Sequence, residues 1–489
     1  MPAPFFAKKF TFTQPDGSTI DLRGFGNQFR ARFETLDGSP VVKDPVTGFY
    51  RPESAHAPDD ALGLGVAGLQ AVEQAAEAQP ELAPTRTRWQ ERLEEKKSGM
   101  SAAAEENVGL ASPERGTVGD FVGLCLLIEF PDVPQTIPQD EVEAFCNRRG
   151  YDGFGNNGSV FDYFFDNSTG RLRYTNIVTP YFQSRHPRSH YTDPAVSWPT
   201  RTRELIREAL EHHKARGFDF RGLTTDGEGF VRAVNVFYAG EVVNEFRKGL
   251  WPHSSSLLTP FELRRGMKAR DYQITDIGSE LTLGTFCHEN GHMICDFPDL
   301  YDLGDPGDTA ADSFGTGFFC LMAYGGNADQ TNPAQVCAYL KRRAGWTDRL
   351  TRITPGLEVT LDAGRNDFAI FEKGPTEYFI LEARLRAGRD EALPDAGLAI
   401  WHVDEKGSNE HEQMAPSFHY ECSLEQADGR FDLENAEDAG DRDDLFPFNG
   451  NDQFGDATQP DSKWWDGTSS GLEIRGIRQD GNALTFVCE

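Results

Sequence analysis

The chain has 489 residues, 48 of them Lys or Arg and 78 Asp or Glu, for a net charge of −30. That length exceeds one ordinary core and leaves room for several domains. A surface this negative repels phosphate backbones and anionic membranes, so neither is expected as a partner. With 38% apolar residues, 11% aromatics and 49 glycines, the composition fits a loop-rich globular protein and not a disordered one.

The N-terminus, "MPAPFFAKKFTFTQPDGS", turns polar before an apolar h-region can form, so no Sec-type signal is visible as written. No apolar run is long enough to predict a membrane span. Residues 1–55 alternate aromatics with turn residues, as in "GNQFRARFETLDGSPVVKDPVTGFYRP", and predict an N-terminal β-rich segment. From Ser54 to Gly116 the composition shifts to Ala, Glu, Pro and Gln. Residues 56–116 therefore read as a linker with an exposed helix and little to bury.

"FVGLCLLIEF", Phe121 to Phe130, is a continuous apolar run closed by Pro131, and predicts a buried strand. "TRELIREALEHHKARG" has helical spacing, with Leu205, Ile206 and Leu210 on one side. "FVRAVNVFYAG" predicts a second buried strand, and a helix with two histidines follows. This order predicts an α/β domain over residues 117–355. After about Gly356 the chain turns β-like, with "LEVTLDA", "DFAIFEK", "EYFILEAR", "GLAIWHVD", "GLEIRGIRQ" and "ALTFVCE" as short strands. Residues 356–489 are thus expected to form a C-terminal β-rich domain, and the whole an α+β multidomain protein.

The helix carries the chemistry. "TFCHENGHMICDFPDLYD" holds His288, Glu289 and His292 in the spacing H-E-x-x-H. Residues i and i+4 share a helix face, so both imidazoles can aim at one zinc ion. Glu289 sits beside a ligand, where it can accept a proton from a metal-activated water and pass it to a leaving amine. Pro298 cannot continue the helix, so the chain turns just past Cys295 and can return a third ligand. Asp296, Asp299 and Asp302 are the candidates. Two histidines on an ordinary helix, without a metal, are the plainer alternative.

"HENGHMICDFPDLYD" resembles the H-E-x-G-H-x-L-G-x-P-D-L/E-Y-D signature of the immune inhibitor A-like metallopeptidases, a branch of the metzincins. The resemblance extends to "LLIEFPD", "VFDYFFDNSTGRLRYTNIVTPYF", "GFDFRGLTTDGEGFVRAVNVFYAG", "EYFILEARL", "GLAIWHVDE" and "FETLDGSPVVKDPVTGFY". It implies a metzincin-like α/β zinc-protease domain over 117–355, with Asp299 as third ligand beside His288 and His292. This chain has one more residue between His292 and Pro298 and has Cys295 where the family has Gly, so Asp296 stands as the second candidate. The implied activity is zinc-dependent endopeptidase cleavage of a protein or peptide substrate, in a secreted enzyme. The N-terminal 1–55 would then be a candidate pro-region. The rival expectation is a catalytically silent adhesion or binding protein that keeps the fold.

"CLMAYGGN" resembles the Met-turn, with Met322 as an apolar floor beneath the ligands. Tyr324, two residues on, would donate its phenol to the oxyanion of the tetrahedral intermediate, as in the related astacins and serralysins. A buried tyrosine tied to a carbonyl is the alternative. Cys295 and Cys320 flank this site, and a disulfide between them is expected to replace the family's Gly-dependent turn, with a buried free thiol or Cys295 as a zinc ligand as the alternatives. The eight cysteines are otherwise scattered, and leave the compartment open. The other histidines show no partner at a motif spacing. Two acidic stretches, "YDLGDPGDTAAD" and "DLENAEDAGDRDDLFPFNGNDQFGD", suit calcium as an additional cofactor, or solvated surface.

Overall fold

Aromatic residues two apart put their rings on one face of a strand. Phe10 and Phe12 do this in β1 (Phe5–Thr13), which opens an antiparallel meander with β2 (Thr19–Gly26), β3 (Ala31–Thr35), β4 (Pro40–Lys43) and β5 (Tyr50–Pro52). Phe10 and Phe12 bury with Leu22, Val41 and Trp251, and Phe12 stacks on Tyr50 at 4.8 Å. The predicted N-terminal β-rich segment is thus a five-stranded sheet. The computed structural model describes residues 4–26, 31–44, 47–52, 86–103, 116–193, 195–196, 198–241, 250–302, 313–410 and 418–489. Most of the predicted linker and residues 303–312 of the first acidic stretch lie outside these.

Helix α1 (Arg88–Ala103) ends the linker region, and β6 (Gly119–Glu129) begins the next sheet. Helices α2 (Gln139–Asn147) and α3 (Val160–Asn167) precede β7 (Leu172–Gln183). Ser159 caps α3 reciprocally with Asp162. After α4 (Arg188–Tyr191) and α5 (Trp198–Ala215) come β8 (Val234–Ala239), β9 (His253–Arg264) and β10 (Met267–Ile277). The sheet order is β7-β6-β8-β10-β9, with β8 parallel to both β6 and β10 and β9 antiparallel to β10. β6 lies inside this sheet and pairs in parallel with β8, and its Leu124 to Ile128 is an unbroken apolar run with no exposure, as expected of a strand covered on both faces. Leu205, Ile206, Ala209 and Leu210 of α5 join Leu124 and Leu126 in that core. Each such Leu or Ile contributes about 1.5–3 kcal/mol by leaving water.

Helices α6 (Leu283–Cys295), α7 (Gly325–Ala328) and α8 (Ala338–Arg343) lead into the β-rich C-terminal part. Strands β11 (Arg349–Arg352), β12 (Glu358–Asp362), β13 (Asp367–Glu372), β14 (Glu377–Arg384), β15 (Gly397–Asp404), β16 (Cys422–Leu424), β17 (Phe454–Gly455), β18 (Glu473–Asp480) and β19 (Ala483–Cys488) form two sheets, ordered β11-β13-β14-β15-β16 and β12-β19-β18-β17. All six segments read as strands from the sequence are strands. Phe379, Leu381 and Ile400 from one sheet share a core with Leu361, Ile474 and Phe486 from the other. Among the described residues, no helix is long and apolar enough to cross a membrane.

The fold is mixed α/β with several sheets, in two compact units that do not follow chain order. One comprises Met1–Arg88, Phe121–Asn147 and Thr175–Leu281; the other Trp89–Asp120, Arg148–Tyr174 and Thr282–Glu489. The histidine-bearing α6 therefore belongs with the C-terminal sheets, not with the strands that precede it.

The second acidic stretch contains a testable feature. Burial, then the charges of Asp441, Asp438 and Asp428, pushes the Asp444 carboxyl up to about 8. Its folded value lies above the unfolded one, so it favours folding below about pH 4, and this contribution is lost as pH rises through about 8. Asp444→Asn should therefore raise the melting temperature at pH 8 and leave it unchanged near pH 4. The gain should be on the order of a few kcal/mol, and equal melting curves of the two proteins at pH 8 would refute the assignment.

Candidate metal centre

Every residue of α6 from Phe286 to Cys295 is buried. Gly291 is small for a packing reason as well as a local one. A Cβ there would lie 2.8 Å from the Met322 sulfur, so the absent side chain lets Met322 press against the helix between the two histidines. Met322 is fully buried.

The helix stops at Asp296, which adopts the left-handed conformation (φ 56°, ψ 36°) while its N–H bonds back to His292 O and Gly291 O. Asp tolerates this region better than most residues, and here it is held from several sides. Its carboxylate accepts from Arg92 at 2.7 Å and Lys96 at 2.6 Å, and its carbonyl accepts from Arg343 at 2.7 Å. Pro298 follows outside any helix or strand, and Asp299 comes back to the histidines.

Three ligand atoms converge. His288 Nε2 lies 3.0 Å from Asp299 Oδ1, His292 Nε2 lies 3.3 Å from it, and the two nitrogens are 3.1 Å apart. Zinc bonds of roughly 2.0–2.1 Å in a tetrahedron place ligand atoms about 3.3 Å from one another, so the spacing suits that ion. The other nitrogens are already committed. His288 Nδ1 donates to the Leu321 carbonyl at 2.8 Å and His292 Nδ1 to the Phe297 carbonyl at 2.6 Å. That leaves two Nε2 lone pairs facing a carboxylate. Neither Asp299 oxygen has a hydrogen bond of good geometry despite the short distances, and the residue is 1% exposed. Three acceptors meeting in a buried pocket without a donor are costly unless a cation sits among them. His288, His292 and Asp299 could hold such an ion.

Without the ion, burial disfavours charge on all three. Burial lowers the His288 pKa, but Asp299 and then Glu289 outweigh it and the net shift is upward. For Asp299 burial raises the pKa, and the two histidines overcome it and hold the carboxyl well below the usual range. Glu289 is 4% exposed, on the same helix and close enough for its charge to act on His288. Asp296, the second candidate from sequence, is not in the ligand group: its oxygens face Arg92 and Lys96. Tyr324 is 2% exposed and packs edge-on to Tyr301 at 5.5 Å and Phe314 at 5.2 Å.

The Trp89 ring lies nearly parallel to the His292 imidazole, 4.4 Å between centroids and 13° between planes. Trp89 and Leu93 of α1 are buried, and Lys97 pairs with the buried Glu421 at 2.6 Å. The expected exposed helix with little to bury is in fact docked against the site. The signal was present in "RWQERLEEKK": Trp89, Arg92, Leu93, Lys96 and Lys97 fall on one helical face. Counting only apolar residues misses it, because three of the five are cations whose acceptors are far away in sequence.

Cys320 keeps a free, buried thiol that accepts from the Cys337 N–H at 3.4 Å, so the expected Cys295–Cys320 disulfide is not made. The Cys320 side chain meets the segment after the Met322 loop. Among the other histidines, His186 and His190 do share a group with Glu204. The Arg201 guanidinium already lies 2.9 Å from His190 and 2.7 Å from Glu204, which opposes a cation there. His402 is buried between Glu377 and Glu425, each at 3.5 Å, and stacks on Trp465 at 4.9 Å. Two carboxylate groups, Asp428 with Asp441 and Asp443, and Asp432 with Asp438 and Asp441, could also hold a cation. No family model and no curated protein matches this chain.

Proposed function

We propose that the protein is a zinc-dependent endopeptidase with a metzincin-like catalytic domain in a multidomain chain. The observation that carries this reading is the buried convergence of His288, His292 and Asp299 with no hydrogen-bond donor for Asp299, beside Glu289 on the same helix. The resemblance of "HENGHMICDFPDLYD" to the immune inhibitor A-like signature and the Met322 floor under Gly291 support it.

His288, His292 and Asp299 would hold the zinc. A bound zinc supplies Lewis acidity, which lowers the pKa of a water and polarises a peptide carbonyl. Glu289 accepts the attacking water's proton and delivers it to the leaving amine. The carbonyls of Leu321 and Phe297 fix both imidazoles with Nδ1 protonated, so each presents an Nε2 lone pair. Tyr324 donates its phenol to the oxyanion. The substrate is a protein or peptide, and export from the cell accords with the same resemblance. Calcium at the Asp428–Asp443 or Asp432–Asp441 group is a second proposed metal.

Purified protein should bind one zinc per chain and cleave an unfolded protein such as casein, with cleavage abolished by a chelator and restored by zinc. Zinc binding without cleavage would instead favour a silent binding protein. Tyr324→Phe should keep the zinc and lower turnover by about 10²–10³. Unchanged kinetics would leave Tyr324 only its packing against Tyr301 and Phe314.

A further inference from the structure

We infer that Arg384 and Asp390, nearly a hundred residues beyond the two histidines in the chain, are positioning residues for the His288 imidazole. The inference rests on the metal-site reading above and extends it to the C-terminal sheets. His288 Nδ1 donates to the Leu321 carbonyl at 2.8 Å, so the orientation of that one peptide sets the direction of the ring. The Leu321 N–H donates to the Gln335 carbonyl at 3.2 Å. Gln335 in turn donates its backbone N–H and its side-chain amide to the two oxygens of Asp390, each at 3.1 Å. Arg384 grips the same two oxygens at 2.7 Å each, and its remaining nitrogen donates to the Phe319 carbonyl at 2.9 Å.

The ion pair therefore fixes the Phe319–Leu321 segment at two points: directly at Phe319, and through Gln335 at Leu321. Arg384 and Asp390 are 1% and 3% exposed. Glu382 braces the guanidinium at 3.2 Å while accepting from the Ala338 N–H at 3.1 Å and from Trp401 at 3.0 Å. A buried ion pair adds little net stability compared with apolar residues of similar size. What it does supply is a fixed geometry for every group it bonds, and here that chain of bonds ends on a metal ligand. Groups that orient a ligand typically change metal affinity by about 10–100-fold when lost.

The test uses the full chain and two variants. Arg384→Lys keeps the charge but loses the two-pronged grip, and Gln335→Ala removes one link without leaving a buried charge. Zinc affinity is measured by competition with a chromophoric chelator, and the cobalt-substituted visible spectrum reports ligand geometry. The ¹⁵N shifts of His288 in metal-free protein report its tautomer. Arg384→Lys should weaken zinc by about 10–100-fold, Gln335→Ala should weaken it several-fold, and both should shift His288 from the Nδ1–H tautomer toward a mixture. Arg349→Ala, which breaks the pair between the exposed Arg349 side chain and Asp367 in the same unit, should change none of these. A folded Arg384→Lys with parental affinity and parental shifts overturns the inference. If that variant does not fold, unchanged values in Gln335→Ala overturn it. If the parent chain binds no zinc, shifts that still move between parent and variants uphold the positioning role and remove the metal reading.

Discussion

Glu289→Gln keeps one zinc per chain and an unchanged melting curve, and lowers turnover on an unfolded protein by about 10²–10⁴. The amide has nearly the shape of the carboxylate, so the packing of this 4%-exposed side chain survives. What disappears is the lone pair that accepts a proton from water and the acid that returns it to the leaving amine. The proposed ligand set does not include Glu289, so zinc content measured by atomic absorption should match the parent. Activity within a few-fold of the parent would mean that another group is the base. Loss of zinc together with activity would place Glu289 among the ligands.

Asp299→Ala and Asp296→Ala should separate cleanly, although the two residues are three apart. Removing Asp299 leaves the two histidines without a third ligand, and zinc affinity should fall by more than the roughly 100-fold expected for an outer group. The zinc-induced rise in melting temperature, worth about 2.7 kcal/mol when zinc is 100-fold above its Kd, should vanish at the same zinc concentration. The loss should show in the zinc-dependent part of the stability.

Asp296→Ala has the opposite profile. It strands Arg92 and Lys96 and puts Ala at a φ of 56°, so metal-free stability should drop by about 2–3 kcal/mol once the partial exposure of Lys96 is discounted. Its zinc affinity should fall much less than that of Asp299→Ala. Isothermal titration with zinc and urea melts on both variants decide the matter. The reverse pattern would make Asp296 the ligand.

Much of this protein is determined locally, and that part is legible in the sequence. The buried run in "FVGLCLLIEF" and the six C-terminal strand segments follow from short apolar runs bounded by turn residues, which neighbouring residues settle among themselves. The facing of His288 and His292 follows from the helix pitch, and the stop before Pro298 from a missing N–H and a ring clash. The rest depends on partners that no local pattern announces. Asp299 rather than Asp296 reaches the histidines because Arg92 and Lys96, some two hundred residues earlier, hold Asp296 elsewhere. A helix that reads as exposed is docked because its cations meet buried acids at Asp296 and Glu421. The Cys320 thiol meets the Cys337 segment, and no spacing rule distinguishes that from Cys295. Charges and thiols carry no period, and the cost of burying them is met only where a partner waits. Which pairs form is therefore decided by the tertiary structure alone.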